Sequence, residues 1–242
     1  MTYVNDYPNM NLQGRKMSQS GSMVLQISLG WANVFVIRGK RPVLVDTGFP
    51  GSADTIIEKL RENGIESDWL SLILITHGHS DHFGSAAELK KLTGAPVAVH
   101  RLDAEYLIAG HDPELQPTGF IGRRLIPALR RRGPAKAPPV KPDVLIDEEL
   151  DLKKYGVDGK VIHTPGHTPG SLSVILPNGE CIVGDLMMRG LVRFWQPNRP
   201  LFADNISELN KSINMLLGKK PTKIYCTHGG PFNPSSVARR FS

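Results

Sequence analysis

Cysteine and aromatic residues are scarce: Cys181 and Cys226 are the only two cysteines in 242 residues, and Phe, Trp and Tyr make up 7%. Two cysteines supply neither a zinc-thiolate cluster nor the framework of a disulfide-stapled fold. Each lies inside an apolar stretch, so both are expected to act as buried hydrophobes. No apolar run approaches the roughly 20 residues that a membrane span needs, and the amino end lacks the charged-then-apolar pattern of a signal peptide. Residues 1–22, polar and rich in Gly, Ser and Asn, read as a flexible lead-in. The chain is therefore expected to be soluble and cytoplasmic, with no membrane partner. Charge is not balanced: 29 basic against 23 acidic residues leave +6, much of it in Arg123, Arg124, Arg130, Arg131, Arg132, Lys136 and Lys141. Base stacking would favour aromatic side chains interleaved with such a stretch. They are missing, so the expected partner is a small molecule, anionic if the arginines attract it, rather than nucleic acid.

A composition of 40% hydrophobic residues over this length can bury a substantial core. Residues 23–242 show no linker long enough to divide them and read as one domain. Strand-like and helix-like segments alternate, with helices expected near 53–63, 83–92, 101–109 and 205–217. That alternation predicts an α/β fold in which helices cover sheets.

The densest chemistry lies in Thr76-His77-Gly78-His79-Ser80-Asp81-His82, four potential metal ligands within six residues. Imidazole and carboxylate suit zinc, and also manganese or ferrous iron. Side chains alternate in an extended segment, so His77 and His79 can converge on one point while Asp81 and His82 turn toward a second. The preceding run, Leu70 to Ile75, reads as a buried strand. The following helix should pack Ala86, Ala87 and Leu89 on the sheet, expose Glu88, Lys90 and Lys91, and stop at Gly94.

Three later segments repeat the pattern of a ligand just past a strand. Val161-Ile162-His163 enters a turn forced by two Pro-Gly pairs that hold His167. Cys181-Ile182-Val183-Gly184 ends in Asp185, and Ile224-Tyr225-Cys226-Thr227 ends in His228. Of the remaining histidines, His100, His111 and His163 are expected in structural or pocket positions, since a lone histidine is more often that than a ligand.

Taken in order from Asp46 in Val45-Asp46-Thr47-Gly48 to His228, these segments resemble the metallo-β-lactamase-fold hydrolases, whose signature is His-x-His-x-Asp-His, a His in a Gly-His-Thr turn, an Asp after a Gly, and a late His. The resemblance covers the chain from about residue 23 onward. It implies a four-layer αββα sandwich with two divalent metal ions at one edge, zinc first, with iron or manganese as alternatives. It implies one ion held by His77, His79 and His167, a second by Asp81, His82 and His228, and Asp185 bridging them. Asp46 and Thr168 are expected behind the ligands, where an acceptor fixes an imidazole's tautomer. The activity implied is hydrolysis, in which a metal-bridging hydroxide attacks a small ester, thioester or lactone, with Asp81 and Asp185 as catalytic carboxylates.

Departures from individual relatives narrow this. Arg189 and Arg193 follow Asp185 as candidate substrate-binding residues, because arginine forks suit carboxylates and phosphates. Glyoxalase II carries a basic residue near there, but only fourteen residues follow His228, too few for the helices with which that enzyme holds glutathione. Lactonases of the family tend to carry a tyrosine where this chain has Met188, and true β-lactamases generally lack the bridging Asp. Two rivals come from other classes: a mononuclear non-haem iron oxygenase resembling persulfide dioxygenase, and a phosphodiesterase or nuclease of the same fold. Finally, residues 119–138 are expected to form either a solvated basic helix, kinked or ended at Pro127, or a lid that covers the metals with Ile121, Leu125 and Leu129.

Overall fold

The computed structural model describes residues 22–241, so residues 1–21 of the expected lead-in lie outside the described residues. A hairpin opens the first sheet: β1 (Val24–Ser28) pairs antiparallel with β2 (Asn33–Ile37), and β3 (Val43–Val45) returns beside β2. After α1 (Ala53–Glu62), β4 (Leu72–Leu74) adds parallel to β3. α2 (Ser80–Phe83) and α3 (Ala86–Thr93) lead to β5 (Val97–His100), and α4 (Ala104–Ala109) and α5 (Gly119–Arg132) lead to β6 (Val144–Ile146). The sheet order β1-β2-β3-β4-β5-β6 thus follows the chain. The second sheet is built from β7 (Glu149–Asp151), β8 (Lys160–His163), β9 (Leu172–Ile175) and β10 (Glu180–Ile182), each antiparallel to the one before. A two-stranded ribbon, β11 (Met188–Arg189) with β12 (Pro197–Asn198), precedes α6 (Ile206–Gly218). β13 (Lys223–Tyr225) then pairs parallel with β10, and α7 (Pro234–Phe241) follows.

Side-chain alternation along the strands produces three apolar layers. On β2, Val34 and Val36 join Ile56, Leu60 and Leu89 from α1 and α3, while Phe35 and Ile37 join the second sheet's Val161, Val174 and Ile182. β3 and β4 divide likewise, Leu44 and Ile73 outward and Val43, Val45, Leu72 and Leu74 inward. On β10, Ile182 faces the other sheet, and Cys181 sits with Cys226 and with Leu209, Ile213 and Val237 of α6 and α7. Helix, sheet, sheet, helix is the expected four-layer sandwich. Both cysteines are buried hydrophobes of its outer core.

Local signals account for most boundaries. Asn205 Oδ1 accepts from the Ser207 and Glu208 amides and starts α6, a cap worth about 1 kcal/mol. α3 stops where Gly94 takes φ +70°, a conformation natural to glycine. The expected helix at 83–92 is two pieces, since the chain breaks at Gly84 and Ser85. A Cβ on Gly84 would lie 2.4 Å from the Pro50 nitrogen, so the backbones meet too closely for any other residue. The expected helix at 101–109 begins as a single 3₁₀ turn, Arg101–Asp103. α5 runs through Pro127 rather than ending there. Pro127 and Arg123 are both exposed, so the carbonyl that proline leaves without an amide meets water. α7 was not expected from the sequence.

What matters for the site is direction. β3, β4 and β5 run parallel, and β8, β10 and β13 share one direction in the other sheet. Their carboxyl ends meet along one edge, where the Leu172 amide donates to the Thr76 carbonyl across the sheets (2.8 Å).

Candidate metal centre

Leaving β4, the chain bends through Thr76, His77 and Gly78 and is extended at His79 (φ −90°, ψ 144°), and His77 and His79 converge. His77 Nε2 lies 3.0 Å from His79 Nδ1, and His167 Nε2, from the turn after β8, lies 3.1 and 3.0 Å from those two atoms. Hydrogen bonding cannot explain the triangle: among three nitrogens that are each either donor or acceptor, at least one pair must be alike. Ligands around one tetrahedral zinc, at ordinary Zn–N distances, stand about 3.3 Å apart, close to what is observed.

Asp81 and His82 reach the second position by a different route from the one expected. They lie on the helical turn of α2, not on an extended segment. Asp81 Oδ2 is 3.1 Å from His228 Nε2, and Asp81 Oδ1 is 3.9 Å from His82 Nε2. Asp185 faces both groups: its Oδ1 is 3.6 Å from His82 Nε2, and its Oδ2 is 3.3 Å from His228 Nε2 and 3.8 Å from His167 Nε2. His82 Nε2 and Asp185 Oδ1 are buried without a hydrogen-bond partner, a costly arrangement for polar atoms unless something else satisfies them. The residues present therefore fit a metal pair.

The two groups differ in charge. Burial, joined by the neighbouring imidazoles His82, His167 and His79, drives His77 well below its ordinary value, and burial holds His79 at about 3 and lowers His167. At the other position burial opposes the charge but is outweighed. Asp46, Asp81 and Asp185 raise His82 well above its ordinary value, and Asp185 and Asp81 lift His228 to about 10. In return His82 and His228 pull Asp81 down to about 2 and hold Asp185 well below the carboxylate range, both against burial.

Behind the imidazoles stands a set of acceptors. His82 Nδ1–H donates to Asp46 Oδ2 (2.8 Å), which also accepts from the Thr76 hydroxyl (2.9 Å), while Asp46 Oδ1 accepts from the Thr76 amide (2.8 Å). With its proton given to Asp46, Thr76 Oγ1 can accept from His77 Nδ1 at 3.1 Å. Asp46 thus braces one imidazole of each group, His82 directly and His77 through Thr76. The backbone serves two more: His167 Nδ1 meets the Phe202 carbonyl at 2.9 Å and His228 Nδ1 meets that of Trp31 at 3.1 Å. Asp46 itself takes φ +62°, a strained conformation for a non-glycine residue, costing roughly 1–3 kcal/mol.

Thr168, expected to brace an imidazole, does not. Its hydroxyl donates to Asp103 Oδ2 (2.6 Å) and meets Ser171 Oγ. Sequence reasoning missed Asp103, which is fully buried and also accepts from the Gly78 amide (2.8 Å) and the Gly170 amide (2.8 Å). It fastens the His77–His79 loop to the turn that carries His167. The available signal was glycine: a Cβ on Gly170 would lie 2.4 Å from Asp103 Oδ1, and one on Gly78 2.7 Å from the Tyr106 ring.

The metal-facing cleft, about 250 Å³, is walled by Trp31, Phe49, Leu115, Met188, Leu201 and Phe202, with Asp112 at its side. Burial pushes Asp112 up to about 6. The lid expected from 119–138 is not formed: Ile121 and Leu125 are each 43% exposed, and the buried face of α5 is Gly122 and Ile126. Only Ala135 of that segment reaches the cleft. The docking face differs from the expected stripe because a Cβ on Gly122 would lie 2.3 Å from the Leu201 carbonyl oxygen, so α5 docks through Gly122 and Ile126 rather than through Ile121, Leu125 and Leu129. Arg189 and Arg193 lie outside the cleft, in a groove beside it. His100 and His163 stack on each other (centroids 4.0 Å apart) with their nitrogens on backbone groups, and His111 is exposed.

The sequence profile of the metallo-beta-lactamase superfamily matches residues 30–228. The chain belongs to this superfamily of hydrolase-type enzymes. Among its relatives, a probable metallo-hydrolase of Methanocaldococcus jannaschii is 31% identical over 82% of this chain and 87% of its own. A hydroxyacylglutathione hydrolase of Haemophilus influenzae is 26% identical over 62% of this chain and 63% of its own. Among solved structures of the superfamily fold, a B3 metallo-beta-lactamase superimposes with a TM-score of 0.68 at 25% identity, covering 90% of this chain and 97% of that one. A protein solved in a di-iron-bound form gives 0.65 at 26%, covering 90% and 98%. Among the described residues no helix is long and apolar enough to cross a membrane.

Proposed function

We propose that this metallo-beta-lactamase superfamily member is a dinuclear hydrolase of a small ester, thioester or lactone. The observation that carries the reading is the meeting of two ligand groups on one carboxylate, Asp185, with two inward-facing polar atoms lacking any other partner. His77, His79 and His167 would hold one divalent ion, and Asp81, His82 and His228 the other. Asp185, with an oxygen for each, would bridge them and offset their repulsion. Five imidazoles and two carboxylates suit zinc, with iron or manganese as alternatives. A bound pair supplies a polarised carbonyl and water acidified to near neutrality.

The chain's own groups do the rest. Asp46 and Thr76 fix the orientation of His82 and His77, and the Trp31 and Phe202 carbonyls fix His228 and His167. Asp81 is the more open of the two carboxylates, its side chain 22% exposed against 9% for Asp185, so it is placed to orient the reacting water and to take or return a proton. Trp31, Leu201 and Phe202 wall the cleft. A complete second ligand group favours two ions over the single iron of an oxygenase.

Elemental analysis of protein purified without added metal should give two ions per chain. Asp185→Ala should lower hydrolysis at least about 100-fold across a panel of esters, thioesters and lactones. Full activity of Asp185→Ala after metal removal would sink the reading.

A further inference from the structure

A groove of about 240 Å³ adjoins the metal cleft, and Met188 and Leu201 line both. Four arginines line it, Arg189, Arg193, Arg199 and Arg240, and no acidic residue does. Among the described residues none of the four has a carboxylate within ion-pair distance, although Arg101 and Arg130 elsewhere pair with Asp147 and Glu114. Instead the positions of three of them are set by neutral groups. Arg199 donates to Asn210 Oδ1 (3.2 Å) and Arg240 to Asn198 Oδ1 (2.8 Å). The Arg189 guanidinium lies over the rings of Trp31 and Phe194, 5.1 and 5.3 Å from their centroids. Trp31 also walls the metal cleft and gives its carbonyl to His228, so Arg189 is tied to the cleft's own frame.

Like charges gathered in one recess repel, and the same recess attracts an anion. Arginine forks match carboxylate and phosphate oxygens in pairs. One carboxylate would leave most of four cations uncompensated, whereas two phosphate groups balance them.

Resting on the hydrolase reading above, we propose that this groove holds the leaving group of the substrate, an alcohol or thiol that carries at least two phosphate groups. The acyl carbonyl then lies over the metal ligands. In the reaction the acyl C–O or C–S bond breaks, and water gives its hydroxyl to the acyl carbon and its proton to the departing oxygen or sulfur. A groove of this volume takes a pair of phosphates rather than a polynucleotide strand.

The test uses the metal-loaded protein and the double variant Arg199→Gln/Arg240→Gln, with metal content and melting temperature checked to match. Pyrophosphate titrated into the wild type should bind with a steep salt dependence, and the double variant should bind it at least tenfold more weakly. Acetyl-coenzyme A should show a KM at least tenfold higher in the variant, while kcat/KM for uncharged phenyl acetate stays within twofold. Undetectable pyrophosphate binding, or equal binding by both proteins as expected for pyrophosphate seated on the metals, would overturn the proposal. So would an equal loss on phenyl acetate, or tighter binding and cleavage of a single-stranded RNA oligonucleotide. If the wild type hydrolyses neither ester, the hydrolase reading fails while the pyrophosphate titration still decides the groove.

Discussion

The two ligand groups grow from one six-residue stretch, yet they are electrostatic opposites. His77, His79 and His167 gather three imidazoles in a buried corner, where burial and mutual repulsion keep them neutral. His82 and His228 are buried as well but share their space with Asp46, Asp81 and Asp185, so these imidazoles hold protons far above the usual range. The difference shows that burial alone does not set the charge of a buried histidine; the count of carboxylates facing it does. For metal binding the consequence is direct. The all-histidine group offers free lone pairs at neutral pH, whereas the acidic group must first release protons but brings negative charge to an incoming cation.

Removing Asp46 should break this contrast most severely. Asp46→Ala leaves the buried, charged His82 without its closest counter-ion, and loss of one partner from such a pair costs about 3–5 kcal/mol. It should also weaken metal at the acidic group by about 10–100-fold. The all-histidine group, which feels Asp46 only through Thr76, should lose far less. Stoichiometric metal titration followed by elemental analysis would show one ion retained and one lost. Equal loss of both would mean that Asp46 governs the whole centre.

How far the sequence disclosed this arrangement depends on the kind of signal. Every metal-facing side chain is an imidazole or carboxylate just past a strand, and residue identity alone marks such positions. Helices covering sheets were legible too, from the alternation of strand-like and helix-like segments, whereas the four layers followed only from the family resemblance. Asp103 was not legible, since an acid in Arg101-Leu102-Asp103 looks like any solvated charge until the fold brings Gly78 and Gly170 onto it. The misread lid has a related cause. Ile121, Leu125 and Leu129 form a periodic stripe, but Gly122 permits closer backbone approach than any of them, and a glycine adds nothing to an apolar pattern. The four-arginine groove was half visible: Arg189 and Arg193 follow Asp185 in sequence, whereas Arg199 and Arg240 arrive from β12's end and α7.

Acidity should sharpen the contrast with a smaller but graded effect. In the metal-free protein, His228 and His82 have folded values above the unfolded value near 6.5, so their contribution to stability is complete below that pH and fades as pH rises, through about 10 for His228. His79, lowered to about 3, does the reverse: its contribution is present above 6.5 and is lost as pH falls toward 3. A metal ion inverts the first sign, since it must displace the protons on His82 and His228. Calorimetric titration at pH 7 in buffers of different ionisation enthalpy should therefore show one ion binding with almost no proton release and the other with about two protons released per ion. Equal release by both would deny the opposition between the groups.

The mildest perturbation acts on the all-histidine group alone. Gly170→Ala would put a methyl group 2.4 Å from Asp103 Oδ1 and 2.5 Å from its Cγ. Asp103 cannot retreat freely, because the same carboxylate holds the Gly78 amide and the Thr168 hydroxyl. Overpacking of this kind costs about 1–3 kcal/mol, or roughly 2–12 °C in Tm for a chain of this size. The strain falls on the junction between the His77–His79 loop and the His167 turn, so metal affinity should decline at that group while proton release and affinity at Asp81, His82 and His228 stay unchanged. Asp103→Asn, which keeps an acceptor oxygen for one amide and adds no bulk, should weaken the same group less. A fall in affinity at the acidic group instead would show that the two positions are rigidly coupled through Asp185, and that their contrast is one of charge without independence of structure.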